Sequence, residues 1–106
     1  MSETSMPDQT PPAPAPVRDN VDAERYEIVV DGEVAFLEYR RRKNVMALIH
    51  TEVPDALRGR GLAPVLAKWA LDAARNEGRH VLVICPFIRT YLKRHPEYDA
   101  LVTTEA

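Results

Sequence analysis

Between its third strand-like segment and its longest helical one, the chain reads Pro54-Asp55-Ala56-Leu57-Arg58-Gly59-Arg60-Gly61-Leu62-Ala63. The glycines let the backbone approach a ligand with no Cβ in the way. A helix starting at Leu62 would aim its free N–H groups and positive dipole end into the turn. That combination suits a pyrophosphate. The turn is not a nucleotide-triphosphate loop, since no Gly-Lys-Ser/Thr follows, and it lacks the third glycine and acidic ribose ligand of the dinucleotide fingerprint. Taken alone, it is better read as a plain strand-to-helix connection.

Four other places carry reactive or charged groups. Cys85 is the single cysteine, so it forms no internal disulfide. Its thiol is either a nucleophile, if neighbours favour the thiolate, or a small buried residue at a strand end. Without a second cysteine to resolve an oxidised Cys85, a thiol redox protein is a poor reading. His50 is a candidate base that could assist Cys85, or a hydrogen-bonded support for the loop. Glu52 is a further candidate base or a solvated carboxylate. Arg40-Arg41-Arg42-Lys43 is either a solvated hairpin turn or a docking spot for an anion such as a cofactor phosphate.

The elements that must position these residues are legible from periodicity. Pro7, Pro11, Pro12, Pro14 and Pro16 fall among Ser, Thr, Gln and Ala, so residues 1–22 are expected to be a disordered leader and 23–106 the domain. Tyr26, Ile28 and Val30 alternate, Asp31-Gly32 makes a tight turn, and Val34–Tyr39 returns. A third antiparallel strand runs from Val45 to about Val53, where Pro54 ends regular pairing. Leu62, Val65, Leu66, Trp69, Ala70 and Ala73 recur at helical spacing, predicting a helix over 62–77 with Trp69 in the core and Gly78 as its stop. Val81–Cys85 is continuously apolar, as for a strand covered on both faces. A right-handed crossover would set it parallel to the third strand. A second helix is expected near Phe87–Arg94, and Tyr98–Val102 lies back along the sheet. The class is α+β: an antiparallel three-strand meander, helix, parallel strand, helix and short C-terminal strand.

The formal net charge of −2 over 106 residues argues against a general nucleic-acid binder. No stretch approaches the roughly 20 apolar residues of a membrane span, and no secretory signal opens the chain. The cytoplasm is the expected compartment, and no metal is expected.

Arg58-x-x-Gly61-x-Ala63 at a helix start, after a strand ending in Val53-Pro54, resembles the acetyl-CoA signature of the GCN5-related N-acetyltransferases. His50-Thr51, the Arg58-Gly59-x-Gly61-Leu62-Ala63 turn, Cys85 and His95-Pro96-Glu97-Tyr98 resemble the small, roughly hundred-residue branch of that superfamily. The resemblance covers about residues 25–102. It implies that the backbone amides of Arg58, Gly59, Arg60, Gly61, Leu62 and Ala63 hold the pyrophosphate of acetyl-CoA, and that Thr51, Glu52 and Val53 bond the pantetheine arm like an added strand. The strands on either side of the helix should splay into a wedge for the acyl group, with Cys85 beside it. Tyr91 falls near the position of a tyrosine that protonates the departing thiolate in larger members; packing is the alternative account. Many members carry a glutamate base on the third strand, whereas Val45-Met46-Ala47-Leu48 has no carboxylate. The implied activity is N-acetyl transfer to an amine, a protein lysine or a small polyamine. The alternative is an acyl-CoA-binding or interaction module without chemistry. Only Asp31-Gly32-Glu33 stands where larger members recognise acceptors. An open acceptor side follows, in a monomer or a homodimer whose partner completes the site.

Overall fold

The computed structural model describes residues 16–104. Most of the expected leader, residues 1–15, lies outside them. The rest of that leader is different from expectation. β1 (Arg18–Asn20) pairs antiparallel with β2 (Arg25–Val30), so the sheet begins four residues before position 22. Hydrophobic periodicity could not reveal this strand because polar groups fasten it. Arg18 and Asn20 donate to Glu27 at 2.9 and 3.1 Å, and Arg25 joins them at 2.9 Å. Glu27 is only 1% exposed and carries three donors, which is what a buried carboxylate requires.

β2 turns into β3 (Glu33–Arg41) through Asp31 and Gly32, whose φ values of 51° and 80° fit a primed two-residue hairpin. β4 (Val45–Glu52) completes the antiparallel meander. α1 (Leu62–Asn76) crosses to β5 (His80–Val83), parallel to β4, and α2 (Pro86–Arg94) leads through a 3-10 turn at Pro96–Leu101 to the short β6 (Val102–Thr103), parallel to β5. The six strands lie in chain order across one sheet. The expected class stands, with β1 added in front of the meander and Tyr98–Leu101 in a 3-10 turn rather than along the sheet, which only Val102–Thr103 joins. No helix among the described residues is long and apolar enough to cross a membrane.

Ile28, Ala35, Leu37, Met46, Leu48 and Val81 form the covered sheet face. Against them α1 buries Leu62, Leu66, Ala67, Ala70, Leu71 and Ala74. This stripe is rotated from the expected one. Trp69 is 48% exposed, so its assignment to the core is corrected. Alanines flank both leucine rows, so two adjacent stripes satisfy the same 3.6 period. The small side chains at 67, 70 and 74 let the helix sit close to the sheet.

α2 and the 3-10 turn share α1's side of the sheet. Tyr98 donates to Asp72 of α1 at 2.6 Å, and inward-facing Val83 and Val102 line a groove with Leu92 and Pro96. The opposite face carries no helix among the described residues. β5 is therefore not covered on both faces as expected: Leu82 is half-buried and Ile84 is 48% exposed. A four-residue strand at the margin of a sheet gives too few positions for periodicity to separate one covered face from two.

The basic run divides. Arg41 is a strut: it bonds the Tyr26 and Tyr39 hydroxyls at 3.0 Å each and pairs with Asp19 at 3.2 Å and Glu77 at 3.0 Å. Burial, with Asp19 close by, pushes the Tyr39 hydroxyl up to about 12. Arg42 and Lys43 are exposed in the β3–β4 turn. That turn precedes β4 and the glycine turn follows it, so the strand, roughly 23 Å long over seven residue steps, runs between them.

Candidate active site

β4 departs from regular pairing at one residue. Glu38 faces His50 and Tyr39 faces Leu48, leaving Ile49 unmatched in a β-bulge. A bulge bends its strand and sharpens the twist. Pairing with β5 ends at Leu48 and Val83, and the Leu48 carbonyl accepts from both the Ile84 and Cys85 amides at 3.0 Å. Beyond that point β5 turns away into α2 while β4 continues alongside β3 only. The two strands splay, and backbone groups of residues 49–52 that face the gap have no β5 partner.

On the helix side the gap opens into a cleft of about 470 Å³. Thr51, Glu52 and Val53 form one wall, Arg58, Gly59, Gly61, Leu62 and Ala63 the other, and Phe87 of α2 closes the end. Every residue expected to hold a cofactor lines this cleft except Arg60, which stands 4.0 Å from Asp31 with its side chain half exposed. Leu57, Pro64 and Phe87 join the lining without having been anticipated. The available signals were an apolar residue in a polar turn and an aromatic one step past Cys85-Pro86.

The turn is built for its shape. Leu57, 1% exposed, pins a 3-10 turn at Asp55–Leu57 into the core. Gly59 and Gly61 then take φ of 80° and 74°, conformations that L side chains disfavour by about 1–2 kcal/mol. A Cβ at either would meet nothing within 4 Å, so the space above both is open. Gly61 is the N-cap of α1, no side chain caps the helix, and its first turn holds no acidic residue. Pro64 has no N–H to offer, which leaves the Gly61, Leu62 and Ala63 amides as the orphan donors. Arg58, bonded to Asp55 at 2.8 Å, adds positive charge beside them.

The three candidate catalytic side chains are not together. Cys85, 3% exposed, is the N-cap of α2, with its Sγ 3.4 Å from Thr51 Oγ1 across the gap. Thr51 pairs with Leu37 and shares its helix-side face, whereas His50 and Glu52 pair with Glu38 and Phe36 and point to the bare face. His50 therefore cannot assist Cys85, because strand alternation, reset by the bulge, sends it the other way. Its Nε2 bonds Glu52 Oε1 at 2.9 Å instead. Tyr91 stands one helical turn beyond Phe87, ring centroids 6.4 Å apart, and stacks on His95 at 4.0 Å. Burial, with Tyr98 nearby, raises its pKa and keeps the hydroxyl protonated. His95-Pro96-Glu97-Tyr98 opens the 3-10 turn, with Tyr98 3% exposed. Burial alone would raise the Asp72 pKa, but the bonds from Tyr98 and Lys68 outweigh it and hold the carboxyl below its ordinary range.

With this geometry in view, the relatives are informative. The family profile described as GCN5-related N-acetyl-transferase matches residues 25–101. Protein NATD1 of Mus musculus is 39% identical over 101 residues, covering 86% of this chain and 91% of the relative. Protein NATD1 of Homo sapiens is 40% identical over 87 residues, 76% of each. Among solved structures, a GCN5-like protein of Staphylococcus aureus determined in solution by NMR superposes with a TM-score of 0.67 at 22% identity, over 89% of this chain and 93% of that one, a likeness of fold.

Proposed function

Because the chain belongs to the GCN5-related N-acetyltransferase family, we propose that it binds acetyl-coenzyme A in this cleft and transfers the acetyl group to an amine. The observation that carries the reading is convergence: an unpartnered strand edge at 49–52 and an uncapped helix entrance at 61–63 border the same space. The chemistry of the residues fits the molecule. Orphan amides and Arg58 suit the diphosphate, the free edge of β4 suits the amide-rich pantetheine arm, and Val53, Leu57 and Phe87 suit its apolar parts.

The gap between β4 and β5 is the natural seat of the thioester, with amides of the splayed strand available to an oxygen that becomes an oxyanion. Tyr91, kept protonated, is the proposed proton source for the departing thiolate. Cys85 offers a second route, in which it carries the acetyl group itself. The favouring observation is its seat at the mouth of the gap, as the N-cap of α2 with its Sγ 3.4 Å from Thr51 Oγ1 of the facing strand.

Calorimetric titration with CoA tests the reading, the expected result being saturable binding and thermal stabilisation. No heat and no stabilisation at millimolar CoA would refute it. Intact-mass spectrometry after incubation with acetyl-CoA and an amine then separates an enzyme from a binding module. Acetyl on the amine or on Cys85 is expected from the enzyme, and binding without any acetyl adduct would identify the module.

A further inference from the structure

α1 presents a second surface, which the cleft does not use. Its outward side carries Trp69, 48% exposed and the chain's one tryptophan, with Val65 a turn before it and Ala73 a turn after. Beside the indole lies a recess of about 320 Å³ lined by Trp69, Asp72, Ala73 and Asn76, all on one helical face. Ala73 is the small side chain that leaves the hollow. A single exposed apolar residue is ordinary. A tryptophan set one turn from a hollow is a knob beside a hole.

The polar groups on this side fall into two sets. Lys68 and Arg75 both bond Asp72, at 2.9 and 2.8 Å, so the charges flanking the hollow are held within the helix. The Trp69 indole N–H and the Asn76 side-chain amide have no hydrogen-bond partner among the described residues. The indole only donates, and the amide has a carbonyl that accepts. Within one helix they cannot meet. Seven residues separate them by about 10 Å along the axis, and a helical side chain leans toward the N-terminus, which carries the indole away from Asn76.

We infer that this side of α1 pairs with the same side of a second copy of the chain, across a two-fold axis perpendicular to the helix at the level of Leu71. Such an axis runs the two helices antiparallel. It brings Trp69 of each copy level with Ala73 of the other, because both positions lie two residues, about 3 Å, from the axis. Each indole then fills the facing hollow and donates to the Asn76 carbonyl there. A second copy fits better than an unrelated protein because knob and hole, donor and acceptor, come from one helix at spacings that the two-fold exchanges. The contact closes on itself and stops at two copies. It also leaves the cleft open. Trp69 lies about 12 Å along the axis from Gly61, and α1 lines the cleft only through Leu62, Ala63 and Pro64. The inference is therefore independent of the acetyl-CoA reading. One helix pair buries less than the roughly 1,200 Å² at the low end of stable interfaces, so a dissociation constant of about 10 μM to 1 mM is expected.

Sedimentation velocity of the full chain from about 5 μM to about 2 mM, read beside Trp69 emission and its quenching by acrylamide, tests this. The expected result is one monomer–dimer equilibrium, with emission moving to the blue and quenching falling over the same concentration range. Trp69→Ala should weaken the dimer at least about thirtyfold, as for a central interface tryptophan. Asn76→Lys, which puts a charged chain into the hollow, should weaken it at least about tenfold. Both positions are exposed, so both variants should keep the monomer's Tm and its CoA affinity. A monomer at every concentration would overturn the inference. So would a dimer as tight in Trp69→Ala as in the wild type, or a Trp69 shielded equally at every concentration, which would mean a different occupant.

Discussion

Two glycines at opposite ends of α1 make a matched pair. Gly61 has φ of 74° and Gly78 φ of 73°, and a Cβ at either meets nothing within 4 Å. Alanine at either position therefore brings the same left-handed strain of about 1–2 kcal/mol, offset in part by the stiffer unfolded chain, for a net loss near 1 kcal/mol. For a domain of this size that lowers Tm by about 4–8 °C in both variants. CoA at one hundred times its Kd should stabilise the wild type by about 2.7 kcal/mol. In Gly78→Ala that gain persists, because residue 78 lies beyond the far end of the helix. In Gly61→Ala the methyl enters the space above the orphan amides. A tenfold loss of affinity would cut the gain to about 1.4 kcal/mol at the same CoA concentration. Thermal melts of the three proteins with and without CoA measure both effects. If Gly61→Ala loses the same Tm as Gly78→Ala yet keeps the full CoA response, the helix entrance does not grip the diphosphate.

Further outcomes follow from the same geometry. Cys85→Ala should retain CoA affinity and lose any acetyl adduct at that position. It should also stop transfer to the amine if the cysteine route operates, which intact mass and turnover together decide. Glu27→Gln should lower Tm at neutral pH by the equivalent of about 1.5–3 kcal/mol, the scale of hydrogen bonds to a charged group. Burial raises the Glu27 pKa, but bonds from Arg25, Arg18 and Asn20 outweigh it and leave the folded value depressed. The difference between wild type and Glu27→Gln is therefore full above the ordinary carboxylate range and shrinks as pH falls through the folded value. A difference that instead grows in acid would contradict this. Leu66→Ala, deleting a fully buried contact between α1 and the sheet, should cost about 2–5 kcal/mol in denaturant melts.

What could be read from the residues alone was set by local rules. Asp31-Gly32 named its own turn, Pro54 ended β4, and Gly61 with Pro64 marked a helix entrance, each because the backbone demand is satisfied within a few residues. Most of the cleft lining was legible for the same reason, lying between Thr51 and Pro64. What escaped depended on pairings distant in sequence. β1 is held to Glu27 by side chains rather than by an apolar face, and the choice between two adjacent stripes on α1 was made by the sheet it meets. The position of His50 escaped because a bulge is a register event. Nothing in Leu48-Ile49-His50 announces that Ile49 will be skipped by β3.

That single unmatched residue has consequences on both sides of the sheet. Without it, His50 would follow Leu48 onto the helix face and Thr51 would point to the bare one. Cys85 would then meet an imidazole. With it, Thr51 faces Cys85 while His50 and Glu52 face outward, and the bend at the same residue accompanies the end of pairing with β5. One strand thus lends its free edge to the cleft and turns the side chains of His50 and Glu52 to the bare face. The division predicts which variants should separate: changes at 51, 59, 61 and 63 act on CoA affinity, whereas changes at 36, 38 and 50 leave it intact.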